Sequence, residues 1–447
     1  MNSKAYSARN VNRVCLDTLL TGRDGQDLWV GVDIGKYHLQ LVLHWGPGRF
    51  ERPWKIQNPG DIGLLITLLT RLAKGRKLLL AMEPSGTYGD VLRQAATDAN
   101  LAVHRISPKA AHDYAEIFDG VPSQHDGKDA AVLAELARLG KSVPWPWTTA
   151  SDARQQIDYW VDRMDTQRRL LQIFTGRLEG ALARHWPEVL RQLKLTSPTL
   201  LSAVAQYGGP AALAADAQAA AKLAAWGRHP LKRQLIDNII DAAKNSLGVR
   251  TTPMDCQRLR DLATDAQAAR AQQKQAAKHL VRLCNDDPAI TPLADAVGAA
   301  TAAVLTVHLG DARDYHCAAA YVKAMGLNLT ERSSGIHKGK LKISKRGSGV
   351  VRYWMYLAAL RLIKKNSPVR PWYLRKKQRD AQAAGRALVG IMRRLGLALY
   401  NVATRGEAFD AGRLFPGKAT RARNKTTGAS NQPMMVKTTI GKGGRMN

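Results

Sequence analysis

Cysteine and acidic residues are both scarce in this chain. It has four cysteines in 447 residues, Cys15, Cys256, Cys284 and Cys317, and no Cys-x-x-Cys pair, so the sequence predicts neither a zinc site nor a disulfide framework. Asp and Glu number 36 against 67 Lys and Arg, which gives a formal net charge of +31. This imbalance indicates a polyanionic partner and disfavours a small neutral substrate.

Long apolar runs are missing as well. No run reaches the ~18 residues that a membrane-spanning helix needs. The first residues include Arg9 and Arg13 but no apolar segment, so no secretory signal is predicted. The isolated cysteines, the basic charge and the missing apolar segments together predict a protein of a reducing, bacterial-type cytoplasm. We expect this protein to associate with the nucleoid.

The chain is longer than a single ordinary hydrophobic core requires, so we predict several domains. An N-terminal extension (1–26) precedes an α/β domain (27–147). A helical linker follows (148–290, with a helical insert over 187–250), and then a mostly helical domain (291–412). The last segment, 413–447, is predicted to be a disordered tail, because from Pro416 it contains seven Lys or Arg residues and no acid.

Hydrophobic periodicity predicts an α/β order in the first domain. Strands are expected at 28–33, 38–44, 50–56, 77–82 and 101–106, and helices at 62–72, 88–98 and 126–139. Pro108 is expected to close the last strand. The order βββαβαβα is that of a ribonuclease-H-like sheet, a hairpin-rich half followed by βα units.

Two segments of the linker have apolar residues at alternating steps of three and four. They run from Ile157 to Leu182, interrupted by Gln167, and from Leu259 to Leu283, interrupted by Gln273. The pattern is typical of an antiparallel helical hairpin or an intermolecular coiled coil. Two ordinary amphipathic helices in a globular bundle are the alternative.

Four acids in the first domain are candidates for a divalent-metal site. Asp33 and Glu83 end apolar strands, and Asp126 and Asp129 are three residues apart on one face of a predicted helix. Converging carboxylates repel one another unless a cation lies between them, and hard oxygen ligands favour Mg²⁺ or Mn²⁺. Each acid alone has a simpler interpretation, as a turn residue or, for Asp126, as a helix N-cap.

A polar loop near residue 340 combines hydroxyls, glycines and cations. Ser333, Ser334 and Gly335 precede five basic residues that are candidates for nucleic-acid binding: Lys338, Lys340, Lys342, Lys345 and Arg346. A serine here could attack phosphorus and hold DNA covalently. Plain phosphate binding by a basic loop is the alternative, and no Ser-His-Asp spacing supports the catalytic interpretation.

The ordered set of motifs resembles the DEDD-type insertion-sequence transposases, a family described as bridge-RNA-guided recombinases. The N-terminal motifs are Gly-Val-Asp-Ile-Gly-Lys at 31–36, Glu-Pro-Ser-Gly-Thr-Tyr at 83–88 and Asp-Gly-Lys-Asp-Ala at 126–130. The C-terminal motifs are Gly-Leu at 326–327, Ser-Ser-Gly at 333–335 and Ile-Ser-Lys-Arg-Gly at 343–347. A Pro-Gly-Ile-Gly turn common in that family is replaced here by Asp-Ala-Val-Gly-Ala at 295–299.

The resemblance implies a RuvC-like domain whose acids bind Mg²⁺, a coiled-coil linker that mediates assembly, and a transposase domain in which Ser334 is the nucleophile. It also implies a homo-oligomer, a dimer or tetramer, with a site shared between subunits. A structured non-coding guide RNA would pair with element and target DNA. The rival interpretations are a metal-dependent nuclease of junction-resolving type and a non-catalytic nucleic-acid-binding scaffold.

Overall fold

The structure, a computed structural model, describes residues 7–84, 86–118, 125–227, 229–331, 342–364, 368–381 and 383–415. The chain divides into two compact units, Met1–Ala150 and Ser151–Asn447. Each unit has a hydrophobic interior of its own. The division into smaller domains proposed from the sequence remains a prediction.

A mixed seven-stranded sheet organises the N-terminal unit. Its strands are β1 (Arg9–Asn10), β2 (Leu28–Ile34), β3 (His38–His44), β4 (Trp54–Gln57), β5 (Leu78–Met82), β6 (Ala102–Ile106) and β7 (Ser142–Pro144). The spatial order is β1-β4-β3-β2-β5-β6-β7. Strands β2, β3 and β4 form an antiparallel meander, and β5 and β6 continue the sheet parallel to β2. This α/β arrangement is compatible with a RuvC-like, ribonuclease-H-like domain.

In the described part of this unit, helices pack on the sheet: α1 (Leu16–Leu20), α2 (Ile62–Leu72), α3 (Asp90–Asp98), α4 (Pro108–Phe118) and α5 (Asp126–Arg138). One face of the sheet forms a core with α2 and α3, in which Leu65, Leu69 and Leu92 are fully buried. On the other face α5 packs against β2, β3 and β5, and its Leu133 joins a cluster with Leu79 and Ile106.

The predicted spans of β2, β3, α2, β5 and β6 are confirmed to within a residue at each end. One expectation was wrong: the strand predicted from Phe50 begins at Trp54, and Phe50 makes only an isolated bridge to His44. Strand β6 ends before Pro108 as predicted, but Pro108 also opens α4, a helix that was not predicted. Residues 9–20 contribute to the same unit, since β1 pairs with β4 and Val11 and Leu16 lie in the core.

The C-terminal unit is almost entirely helical in its described part. Its helices are α6 (Asp152–His185), α7 (Val189–Gln192), α8 (Pro198–Tyr207), α9 (Pro210–Ala215), α10 (Ala219–Trp226), α11 (Arg233–Lys244), α12 (Pro253–Asn285), α13 (Thr291–Val297), α14 (Ala299–Leu309), α15 (Ala318–Ala324), α16 (Gly349–Lys364), α17 (Val369–Arg379), α18 (Ala384–Arg405) and α19 (Ala411–Leu414). Two short strands, β8 (Leu329–Thr330) and β9 (Lys342–Ile343), pair antiparallel.

The long helices α6 and α12 pack along one another in opposite directions. Trp160, near the start of α6, stacks on His279, near the end of α12, with ring centroids 3.9 Å apart. At the other end Leu178 and Leu182 share a core with Leu259. Most of the apolar positions predicted to form a helical seam are therefore buried within the chain. Helices α7 to α11 lie between the two long helices in sequence, and their assignment as a separate insert remains a prediction.

Packing beyond the α6–α12 pair involves α13, α14, α16 and α18, whose buried residues include Leu305, Val351, Ile391 and Leu395. Helix α17 was not predicted, because its sequence, rich in Arg and Lys, lacks an apolar stripe. No helix in the described ranges is long and apolar enough to cross a membrane.

Candidate metal site and serine loop

Strand register places the first two acids side by side. Val32 of β2 pairs with Met82 of the parallel strand β5, so the next residues along each strand, Asp33 and Glu83, occupy neighbouring positions at the same end of the sheet. Side chains of residues in register on parallel strands point to the same face. The two carboxylates are therefore brought to one edge by the sheet itself.

A glycine on β2 brings helix α5 to this edge. A Cβ on Gly31 would lie 2.0 Å from the carbonyl oxygen of Ala130 and 2.5 Å from the amide nitrogen of Ala134, so only glycine permits so close an approach. Gly31 and Asp33 are two residues apart on one strand and face the same side. Asp33 consequently points toward the first turn of α5, which contains Asp126 and Asp129.

Two polar contacts hold α5 on the sheet. Gln40, which pairs with Asp33 across β2 and β3, donates from Nε2 to Asp126 at 3.0 Å. At the other end the fully buried His44 lies 2.5 Å from a carboxylate oxygen of Glu135. The amide of Gly46 donates to His44 Nδ1 at 3.3 Å, so Nε2 is the nitrogen that donates to Glu135.

Three of the four acids line one cavity of about 270 Å³: Asp33, Glu83 and Asp129. Helix α4 forms another wall of this carboxylate cavity and adds His112, an exposed residue that was missed from the sequence. Two features of the sequence could have indicated helix α4. Pro108 is favoured in the first turn of a helix, and the apolar residues that follow it pack near α5. Asp126 is exposed and lies outside the lining of the cavity.

The acids perturb one another electrostatically. Burial, followed by the charges of Asp129, Asp126 and Glu83, raises the pKa of Asp33 from its ordinary 3.8 to about 6. Burial and Asp129 raise the pKa of Glu83, and burial and Asp126 raise that of Asp129. Negative charge at this site is therefore only partly compensated by the chain.

The donor chemistry suits a hard divalent cation, since the polar walls are mainly carboxylate oxygens. Within the described ranges, however, no group of three or more His, Cys, Asp or Glu side chains is placed so that it could hold a metal ion. The acids thus surround an open cavity, and their side chains do not form a closed ligand shell.

The serine loop, residues 333–347, lies in the C-terminal unit. Ser333, Ser334, Gly335, Lys338 and Lys340 fall outside the described residues, whereas Lys342, Ser344, Lys345 and Arg346 fall within them. Strand β9 lies within the loop and pairs with β8, which precedes the loop, and Ser344 donates its amide to the carbonyl of Asn328 at 2.7 Å.

Two glycines fix the base of this loop. A Cβ on Gly347 would lie 2.4 Å from the carbonyl oxygen of Ala324 and 2.8 Å from the amide nitrogen of Gly326. Both glycines have positive φ, 72° at Gly326 and 123° at Gly347. Motifs that are about twenty residues apart in sequence, around Gly326 and Gly347, are thereby brought into direct contact.

A mixed sheet that gathers acids at one edge, in a strongly basic chain, is the arrangement of an enzyme that acts on nucleic acid. Residues 30–187 match the model of DEDD transposases of the IS110 type, described as a transposase, and residues 294–374 match the model described as transposase IS116/IS110/IS902 family. The first match spans the candidate acids, and the second spans the serine loop.

Two curated insertion-element proteins are similar along most of their length. One is the IS110 uncharacterized 43.6 kDa protein of Streptomyces coelicolor, 25% identical over 364 residues, which cover 79% of this chain and 88% of that protein. The other is the IS116 uncharacterized 44.8 kDa protein of Streptomyces clavuligerus, 23% identical over 383 residues, 82% of this chain and 92% of that protein.

The chain belongs to the DEDD-type insertion-sequence transposase family and is a DNA transposase. Members of this family typically use divalent metal ions. The family is DEDD-type and is not a serine recombinase family, so a serine–DNA intermediate is a separate hypothesis.

Proposed function

We propose that this transposase cuts and rejoins DNA with Asp33, Glu83, Asp126 and Asp129 as metal-binding catalytic acids and Ser334 as the nucleophile. The main support is geometric: the register of β2 and β5 and the approach of α5 to Gly31 bring Asp33, Glu83 and Asp129 to one cavity, with Asp126 in the same first turn of α5 as Asp129. A carboxylate cluster that repels itself in a basic protein is suited to a cation and to the phosphate that the cation attracts.

Mg²⁺ or Mn²⁺ bound at the carboxylate cavity would act as a Lewis acid toward the scissile phosphate. Asp33, Glu83 and Asp129 would bind the metal ion from the walls of the carboxylate cavity, and Asp126 would bind it from the rim of the cavity. Helix α5 keeps its two acids in place through Gly31 and the His44–Glu135 contact. These residues position the ligands and do not themselves react.

Ser334 would supply the covalent step. Its Oγ would attack phosphorus, an Oγ–P bond would form and the bond from phosphorus to one deoxyribose oxygen would break. The serine hydroxyl proton passes to solvent, and the departing oxygen gains a proton. The phosphodiester energy is conserved in the serine–DNA link, so a second deoxyribose hydroxyl can reverse the step without an external energy source.

The basic residues Lys338, Lys340, Lys342, Lys345 and Arg346 would balance phosphate charge around this step. Element and target DNA are the substrates, and a structured guide RNA would select them by base pairing. We further propose a homo-oligomer, a dimer or tetramer, with coiled-coil contacts of α6 and α12. Because Leu262 and Leu280 are buried inside the chain, such contacts must use other faces of these helices.

Trapping the protein on labelled suicide-substrate DNA tests the proposal. Digestion and mass spectrometry should locate the adduct on Ser334, and Ser334→Ala should abolish both adduct and cleavage while DNA binding persists. Ser333→Ala and Ser344→Ala are matched controls from the same loop and should retain partial activity. An adduct on a different residue would reassign the nucleophile, and efficient cleavage without any adduct would favour the metal-dependent nuclease.

A further inference from the structure

A second cavity lies at the base of the serine loop. Its volume is about 680 Å³, and it is formed by the β8–β9 hairpin on one side and by α18 with the end of α17 on the other. Its apolar lining comes from Leu329, Ile343, Val389 and Leu397. Leu329 and Leu397 are 38% and 41% exposed, so this hairpin cavity presents apolar surface to solvent.

Cations surround the apolar surface. Lys342 and Lys345 contribute from the hairpin and Arg386 from α18. These three make no ion pair within the described part of the chain, whereas Lys376, also in the lining, lies 2.6 Å from Asp380. The charge of the first three is therefore available to an anion from outside the protein.

The position of Lys345 is set by the backbone. Its φ is +56°, in the left-handed region that a residue with a side chain rarely adopts. The neighbouring contact between Gly326 and Gly347 leaves the chain little freedom to relax. Backbone held in such a conformation is commonly found at binding sites.

These features together select the ligand. A phosphate alone would leave the apolar surface exposed, and a neutral apolar molecule would leave three cations without a partner. An unpaired nucleotide satisfies both, since its base has an apolar face and its backbone is anionic. The volume suits a small-molecule-sized group and is too small for a duplex.

We propose that the hairpin cavity binds one unpaired nucleotide of a DNA strand, with the base against the apolar lining and the flanking phosphates on Lys342, Lys345 and Arg386. The choice of DNA rests on the proposed function, because the cavity adjoins the loop assigned to DNA cleavage. Displacing a base here would fix the strand next to that loop.

Gly385 allows the cavity to be filled without disturbing the fold. It lines the cavity near the start of α18, and a Cβ placed there meets no atom within 4 Å. Gly385→Trp should occupy the space intended for the base. Gly63→Trp on α2 is a matched control, because that glycine is also exposed and has open space around it.

Fluorescence anisotropy with the full chain in EDTA would compare a labelled single-stranded DNA with an abasic backbone of the same length. Gly385→Trp should weaken binding of the intact strand by about tenfold and leave the abasic backbone unaffected. Gly63→Trp should match the wild type. Equal loss for both strands, or no loss, would overturn the nucleotide assignment.

Arg386→Gln provides a second variant should Gly385→Trp fail to fold. It should reduce the salt dependence of binding by about one phosphate contact, and Arg375→Gln, an exposed cation outside the cavity, should not. A matching RNA strand that binds more tightly, with the same sensitivity to Gly385→Trp, would overturn the assignment to DNA. Because binding in EDTA involves no cleavage, a failure of the proposed chemistry would not alter this result.

Discussion

Regular secondary structure forms the carboxylate cavity of the N-terminal unit, whereas a short hairpin supports the serine loop of the C-terminal unit. In the first, register between β2 and β5 and the approach of α5 to Gly31 place the acids. In the second, two residue pairs of β8 and β9 and the Gly326–Gly347 contact set the ends of a loop. Both use glycine where two segments of backbone must touch.

The two regions also differ in charge. The N-terminal cavity gathers acids whose pKa values are raised by burial and by one another, and the C-terminal hairpin gathers cations around an apolar surface. A reaction at a DNA phosphate requires both kinds of charge, because the acids can hold a metal and the cations can hold the DNA strand. This contrast leads us to expect that variants in the first region impair chemistry and that those in the second chiefly impair binding.

The largest effect is expected from the acids. Asp33→Asn, Glu83→Gln, Asp126→Asn and Asp129→Asn should each reduce strand exchange by roughly 10³-fold or more while DNA binding persists. Each change keeps the side-chain shape and removes one charged ligand. Asp24→Asn, an exposed acid outside the cavity, is the control for charge alone. Near-normal exchange in two of the four variants would refute the metal-site assignment.

Close packing of α5 on β2 is the next feature to break. Gly31→Ala places a Cβ 2.0 Å from the carbonyl oxygen of Ala130, so the helix must shift, and we expect a loss of about 3 kcal/mol in the free energy of unfolding. Gly63→Ala, with no atom near its Cβ, should be neutral or stabilising by up to ~1 kcal/mol. Urea denaturation measures both. Equal stability of the two variants would show that α5 does not depend on this contact.

The pH dependence of stability should be smaller and specific to Asp33. Its pKa is about 6 in the folded state against an ordinary value of 3.8, so between these values the folded state binds more protons than the unfolded chain. In EDTA the contribution of Asp33 to stability is therefore present at low pH and is lost as pH rises through about 6.

Thermal unfolding across that pH window measures the effect. Asp33→Asn should lack the loss of stability that Asp33 causes as pH rises, and it should be more stable than the wild type at pH above 6. Asp24→Asn should show the same pH dependence of stability as the wild type. Mg²⁺ should raise the melting temperature of the wild type at neutral pH and leave Asp33→Asn nearly unchanged. A stability difference between the wild type and Asp33→Asn that does not change through the window would contradict the raised pKa of Asp33.

Much of the N-terminal fold could be predicted from the sequence, because apolar runs such as 78–82 have the length of buried strands. The roles of the four candidate acids remain predictions, although strand register and the approach of α5 bring three of them to one cavity. Helix α4 was missed because a proline after a strand was taken only as its end, although it also starts a helix. Strand β1 and helix α1 have only two and five residues, too few for periodicity to indicate them, so their structure comes from pairing with β4 and packing on the core.

Tertiary contact explains what periodicity could not predict. The seam residues of α6 and α12 were compatible with pairing inside or between chains, and their burial in one chain follows from the antiparallel arrangement around Trp160 and His279. The hairpin cavity joins segments that are more than thirty residues apart in sequence, and the cation Arg386 has no motif around it. The assignment of Ser334 as the nucleophile comes from the resemblance to the transposase family and remains a prediction.

The central claim is that the acids of the N-terminal unit and the serine of the C-terminal unit act in one reaction. The most direct measurement is the yield of the Ser334–DNA adduct on suicide-substrate DNA in Asp129→Asn, with Asp24→Asn as the control and Mg²⁺ present. We predict that the adduct forms in the wild type and the control and is lost in Asp129→Asn, although all three bind DNA equally. An undiminished adduct in Asp129→Asn would contradict the account.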